Sequence, residues 1–155
     1  MPQPETRVQE LHLVLPPVPK PVAKYKTAVL AGNILYVSGH GPLKEDGKMI
    51  TGRVGADLNL DQGKAAARQV GLAILATVRN NLGSLNKVKR LIKTLGLVQC
   101  TNEFGDQPKV INGFSELMAE VFGEENGVGA RSAVGTNALP GGIAVEIECI
   151  FEVET

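Results

Sequence analysis

The chain has 155 residues, 43% hydrophobic and 21% charged, with 16 Lys plus Arg against 16 Asp plus Glu and a formal net charge of zero. That is long enough for one domain with a core of its own, and the balanced charge argues against a dedicated nucleic-acid surface. With 4% aromatic residues and no Trp there is no stacking platform for bases or sugars, and no apolar run reaches the length of a membrane-spanning helix.

The N-terminus, Met1-Pro-Gln-Pro-Glu5, lacks the charged and apolar regions of a signal peptide, so a cytoplasmic protein with no membrane association is expected. Val8, Leu11 and Val14 follow Pro4 at helical spacing, which predicts a short helix whose first turn tolerates the proline. His12 in this segment reads as a surface histidine, with a general base as the alternative. Pro16, Pro17, Pro19 and Pro21 forbid helix and central strand. Residues 1–21 are thus expected to form a short helix and a Pro-rich extension ahead of a domain spanning 22–155.

Two apolar runs, 27–31 and 34–38, are joined by Gly32-Asn33, which accept the positive φ of a primed turn and predict a tight hairpin. The second run ends in Ser38-Gly39-His40-Gly41-Pro42. Glycines there uncover the main chain, so amides and the Ser38 hydroxyl can meet a ligand's polar end; a plain strand exit with a bend is the other reading. Asp61 is expected to cap a helix running to Leu82, with Ala66, Val70, Ala73, Ile74, Thr77 and Val78 on its apolar stripe and Gly83 at its end. Leu91 to Cys100 reads as a strand, with Ile92, Thr94, Gly96, Val98 and Cys100 alternating against Lys93, Leu95, Leu97 and Gln99. The basic run Lys87, Lys89, Arg90, Lys93 has no interleaved aromatic and reads as a solvated face. A second helix follows with Val110, Phe114, Leu117, Met118 and Val121 on one face and Gly123 closing it.

Val128 to Phe151 reads as strand, turn, strand, with Pro140-Gly141-Gly142 able to fold the two arms back on each other. In the second arm Ile143, Val145, Ile147, Cys149 and Phe151 face one way and Ala144, Glu146, Glu148 and Ile150 the other. Two carboxylates therefore share one strand face in an apolar segment. Burying an unpartnered carboxylate costs several kcal/mol, so the pair calls for a cation, donors or a role, and Arg131 is the nearest cation in sequence. Cys100 and Cys149, far from any metal-ligand spacing, read as small buried hydrophobes with no disulfide between them.

The order of hairpin, helix, strand, helix, strand, strand predicts an α+β domain with two helices on one face of a mixed sheet. The other, half-apolar face then invites self-association. No phosphate-binding or dinucleotide loop, zinc motif or nucleophile elbow is present, so neither cofactor nor metal is expected. What remains is Arg131 with Glu146 and Glu148, plus the Ser38 bend. An arginine fork grips a carboxylate through two parallel hydrogen bonds, and a partly buried glutamate activates water. That set suits a small carboxylate-bearing substrate hydrolysed without a cofactor. An internal Arg131–Glu146 salt bridge is the simpler structural account of the same residues.

The Gly32-Asn-Ile-Leu-Tyr-Val-Ser-Gly39 hairpin, the helix after Asp61, Asn112-Gly-Phe114, Ala130-Arg-Ser132, Leu139-Pro140 and Val145-Glu-Ile-Glu148 carry a family resemblance. In order and spacing they resemble the RidA/YjgF family of reactive-intermediate imine deaminases, historically labelled L-PSP endoribonuclease, from about Tyr25 to the end. Within that family the chain looks like the longer subgroup with an added N-terminal segment. The resemblance implies a chorismate-mutase-like (YjgF-like) α+β fold and a homotrimer whose sheets pack around a central barrel, with three sites in clefts between subunits. It implies hydrolysis of enamine or imine intermediates such as 2-aminoacrylate to a 2-oxo acid and ammonia. By the same resemblance Arg131 binds the substrate carboxylate, Glu146 positions water, Tyr25, Ser38, Gly39 and Asn112 line the cleft, and Glu148 is structural. The chain departs from the family where His40 and Gly41 replace a common Gln and bulky apolar residue, and where Ala133 replaces Cys or a small polar residue. His40 is thereby a candidate titratable group beside the substrate. Two other readings stay open: a binding module that holds 2-oxo acids at the subunit interface without turnover, and RNA cleavage, against which the neutral charge speaks.

Overall fold

Alternation along residues 145–153 sets the architecture. Val145, Ile147, Cys149, Phe151 and Val153 are buried, while the intervening Glu146, Ile150 and Glu152 are half-buried and Glu148 is exposed. Such a strand belongs in the middle of a sheet with one covered face. In the computed structural model, which describes residues 1–155, strands β1 (Ala28–Ala31), β2 (Ile34–His40), β3 (Val88–Gln99), β4 (Ala130–Thr136) and β5 (Val145–Val153) form one sheet in the order β1-β2-β5-β3-β4. β3 and β4 are parallel and every other neighbouring pair is antiparallel. With its helices on one face, this mixed sheet is an α+β fold.

Helices α2 (Leu60–Leu82) and α3 (Gln107–Gly127) cover that face. They approach closely because Gly113 of α3 lies against the main chain of Lys64, where any Cβ would collide. Between helices and sheet, Ile74, Leu75, Phe114, Leu117, Met118, Ile147 and Phe151 are fully buried, each contributing about 1.5–3 kcal/mol of transfer free energy. Gly123 leaves helical geometry (φ 88°, ψ 162°), as its type predicts, but a further turn continues α3 to Gly127.

The N-terminal segment adds a third helix, α1 (Pro4–Glu10), whose Val8 joins the core. Arg7 Nε donates to Glu120 O of α3 at 3.0 Å. Glu5 accepts from Arg79 Nε and Nη2 of α2 at 3.0 and 2.7 Å and from Leu85 N at 2.9 Å. The Arg79 hydrogen bond holds the Glu5 carboxyl below its ordinary 4.5. This tie is complete above the ordinary carboxylate range and is lost as the pH falls through the depressed value. His12 is no general base here. It is exposed at the helix end with φ 53°, where its N–H bonds Gln9 O and Leu13 N bonds Val8 O, a Schellman termination with histidine in the left-handed position.

Three local expectations change. The cap of α2 is Asn59, not Asp61: the Asn59 side chain accepts from Gln62 N at 2.8 Å and Gln62 Oε1 accepts from Asn59 N at 2.9 Å, a reciprocal capping box. Asn59→Ala is expected to cost about 1 kcal/mol in urea unfolding with an unchanged m-value. β3 begins at Val88 rather than Leu91, and its register slips between Val88 and Arg90 and again between Leu91 and Lys93. The slip buries Leu91 and leaves Ile92 half-buried, while Lys89 and Arg90 remain on the exposed face foreseen for them. Finally, β4 and β5 do not pair. β3 lies between them, because the short turn at Pro140–Gly142 is preceded by a parallel crossover through α3 that sets β4 outside β3.

No helix is long and apolar enough to cross a membrane. Cys100 and Cys149 are both buried free thiols.

Candidate active site

Sequence alternation fails at one place in β2, and the site is built there. The pairing with β5 advances from Val37 to His40 on β2 but only from Cys149 to Ile147 on β5, so one residue of β2 is extra. A bulge of this kind re-aims side chains at the sheet surface. Ser38 stays half-buried on the face away from the helices, Gly39 is exposed, and His40 returns to the covered face. Ser38 N donates to Thr27 O at 2.9 Å and Ser38 Oγ to Lys26 O at 2.6 Å, fixing the hydroxyl beside the segment that carries Tyr25.

A cleft of about 680 Å³ opens over this bulge. Tyr25, Ser38, Gly39, Glu146 and Glu148 line its polar side, and Leu43, Met49 and Ile143 its apolar end. The apolar end is assembled by isolated bridges Leu43 to Met49 and Thr51 to Ile143, which draw the loop 42–51 against the entry to β5. Gly39 is essential to the contact: a Cβ there would stand 2.5 Å from Glu146 Oε2 and 3.0 Å from its Cδ. The carboxylate thus lies directly on uncovered main chain. Glu146 makes no ion pair or hydrogen bond to another side chain. Burial first, and the neighbouring Glu148 charge second, push its carboxyl above the ordinary 4.5. A half-buried, unpaired carboxylate with raised proton affinity in a cleft is the arrangement of a general base.

His40 borders the cleft with its ring bonded inward at both nitrogens. The residue is 4% exposed, with Nδ1 against Ser38 O at 2.6 Å and Nε2 against the Thr77 hydroxyl of α2 at 2.8 Å. Burial lowers its proton affinity below the ordinary 6.5, so the ring is neutral at pH 7.

Arg131 and Asn112 lie elsewhere. Arg131 is in register with Thr94, which is buried under the helices, whereas Glu146 is in register with Leu97 on the open face. The two side chains leave opposite faces of the sheet from strands separated by β3, roughly 10 Å across the sheet, so no internal Arg131–Glu146 salt bridge forms. Arg131 instead lies along α3, Nη1 donating to Ser115 Oγ at 3.0 Å and Nη2 to Pro108 O at 3.1 Å. Pro108, Asn112 and Ser115 share one stripe of that helix, which brings Asn112 to Arg131. Ala133 follows on the same face, in register with Gly96. One copy of the chain therefore holds these residues in two separate groups: Tyr25, Ser38, Gly39 and Glu146 in the cleft, and Arg131 with Asn112 at the β4 edge.

Residue patterns did not single out Pro19, Lys20 and Val22, which pass along the cleft mouth. Nothing local marks them, because the extension reaches the site only through packing. The face of the sheet away from the helices carries Val29, Tyr36 and Val134, 50%, 49% and 43% exposed, together with half-buried Leu95, Leu97 and Ile150. No group of three His, Cys, Asp or Glu side chains is placed to hold a metal.

Residues 5–145 match the model of the YjgF/chorismate mutase-like family, which carries an endoribonuclease label. Protein TCP17 of Trypanosoma cruzi is 40% identical over 94% of this chain and 91% of its own length. A 2-iminobutanoate/2-iminopropanoate deaminase of Dermatophagoides farinae is 29% identical over 90% of this chain and 93% of its own. The crystal structure of an Agrobacterium tumefaciens protein of unknown function superposes with a TM-score of 0.88 at 41% identity, covering 98% of this chain and 92% of that one.

Proposed function

Because the chain belongs to the YjgF/chorismate mutase-like family, we propose that it hydrolyses small enamine or imine intermediates, of the 2-aminoacrylate type, to 2-oxo acids and ammonia without a cofactor. The observation that carries this reading is Glu146, an unpaired carboxylate of raised proton affinity seated on the bare main chain of Gly39 inside a cleft. The related deaminase supports the reaction class.

In this reading 2-aminoacrylate is present as its imine tautomer. Glu146 takes a proton from water as the oxygen adds to the imine carbon, the C=N electron pair moves to nitrogen, and Glu146 hands that proton to the nitrogen to give the carbinolamine. Glu146 then takes the hydroxyl proton and delivers it to the amino nitrogen as the C–N bond breaks, releasing ammonia and leaving the carbonyl of the 2-oxo acid. The Ser38 hydroxyl and the Gly39 amide face the reacting atoms, and Tyr25 borders them. The substrate carboxylate is gripped by Arg131, whose two bonds to Ser115 and Pro108 leave three N–H donors unused.

Within one copy Arg131 cannot reach Glu146, so the reading requires that Arg131 and Asn112 come from a neighbouring copy. A homotrimer with sheets packed around a central barrel supplies that, and the uncovered apolar face at Tyr36, Leu95, Leu97 and Ile150 supports it. Against RNA cleavage stand the two carboxylates and single lysine, Lys20, of the cleft, which repel a phosphodiester. The test follows 2-aminoacrylate loss with coupled reduction of the 2-oxo acid; unchanged decay in the presence of the wild-type chain would overturn the reaction.

The pH profile follows from the causes acting on Glu146. The base works only when ionised, so kcat/KM falls as the pH drops through its raised value, which lies above 4.5. Glu148→Gln removes the second cause and is expected to move this acid limb to lower pH, while burial keeps it above the ordinary value. An unmoved limb would assign the titration to another group.

A further inference from the structure

We infer that His40 is a positioning residue for this site: its Nδ1–H, donated to the Ser38 carbonyl, locks the Ser38–Gly39 bulge in the shape that seats Glu146. The kinetic consequence rests on the reaction proposed above; the structural one rests on geometry alone. At the bulge one residue of β2 has no partner on β5. On the β1 side Ser38 N bonds Thr27 O, but no bond returns from Thr27 N to the Ser38 carbonyl. That carbonyl lies against His40 Nδ1 at 2.6 Å instead. A carbonyl only accepts, so Nδ1 carries the proton and the neutral ring leaves Nε2 bare to accept from the Thr77 hydroxyl at 2.8 Å. Thr77 is fully buried on α2, so its hydroxyl fixes the ring's tautomer and holds Nδ1–H toward the Ser38 carbonyl. Without it the carbonyl must find another donor, and any shift of the bulge moves Gly39, against which the Glu146 carboxylate packs.

Asparagine and leucine at position 40 separate this role from mere packing. His40→Asn places an amide N–H where Nδ1 stands and keeps the bond to Ser38 O. His40→Leu fills the space without a donor, and in both the Thr77 hydroxyl can turn to a carbonyl of its own helix. The leucine variant is expected to lose about tenfold in kcat with KM within about twofold, whereas the asparagine variant stays within about threefold of wild type in kcat. Amide exchange followed by NMR distinguishes the two roles without turnover. Ser38 and Gly39 should exchange about tenfold faster in His40→Leu and at wild-type rates in His40→Asn, with Phe151 unchanged in both. Wild-type exchange in the leucine variant, or equal acceleration in both variants, overturns the inference whether or not an imine is hydrolysed. Absence of hydrolysis by the wild-type chain would instead defeat only the proposed reaction.

Discussion

Glu146→Gln is expected to lower kcat for imine hydrolysis by about 10²–10⁴-fold with little change in KM, because the amide keeps the shape of the side chain and loses the base. The site makes this a clean substitution. Glu146 has no ion-pair partner to leave orphaned. Burial also disfavours its ionised form, so a neutral amide removes an unfavourable desolvation rather than a stabilising contact. The thermal midpoint should therefore stay the same or rise. A variant that keeps turnover would show that another group activates the water, and Glu148, on the same strand face, would be the next to replace.

Arg131→Ala is expected to lower kcat/KM by about 10²–10³-fold, the loss of two charge-assisted hydrogen bonds to the substrate carboxylate. Its bonds to Ser115 and Pro108 lie at the sheet edge and are only partly buried, so the protomer should fold. The sharper result comes from mixing. If Arg131 of one copy serves Glu146 of the next, an equimolar, reassembled mixture of Arg131→Ala and Glu146→Gln chains contains sites that inherit neither change. In a cyclic assembly about one quarter of the sites are then intact, so the mixture should recover roughly a quarter of wild-type activity from two nearly inactive parents. Failure to recover any activity, with mixed assemblies present by mass, would mean that the two groups of residues do not meet across a subunit boundary.

What could be read along the chain was whatever depends on near neighbours. The Gly32-Asn33 hairpin, the apolar stripes of α2 and α3 and the alternation of β5 are all local patterns, and each formed as its period required. The same alternation put Glu146 and Glu148 on one strand face. The motifs around Arg131 and Glu146 pointed to the family with no knowledge of the fold.

Tertiary structure decided the rest, because pairing between distant segments leaves no trace in local period. Placing β3 between β4 and β5 sent Arg131 and Glu146 to opposite faces and separated, within one copy, residues expected to act together. Slips in β3 redistributed Leu91 and Ile92, and the extra residue in β2 turned His40 inward to Thr77 while leaving Ser38 and Gly39 in the cleft. The chain by itself determined which groups are chemically available, since residue type sets donor, acceptor and charge. Only the folded sheet determined which of them meet, since side chains project from opposite faces of a strand and a single bulge or an intervening strand reverses their company.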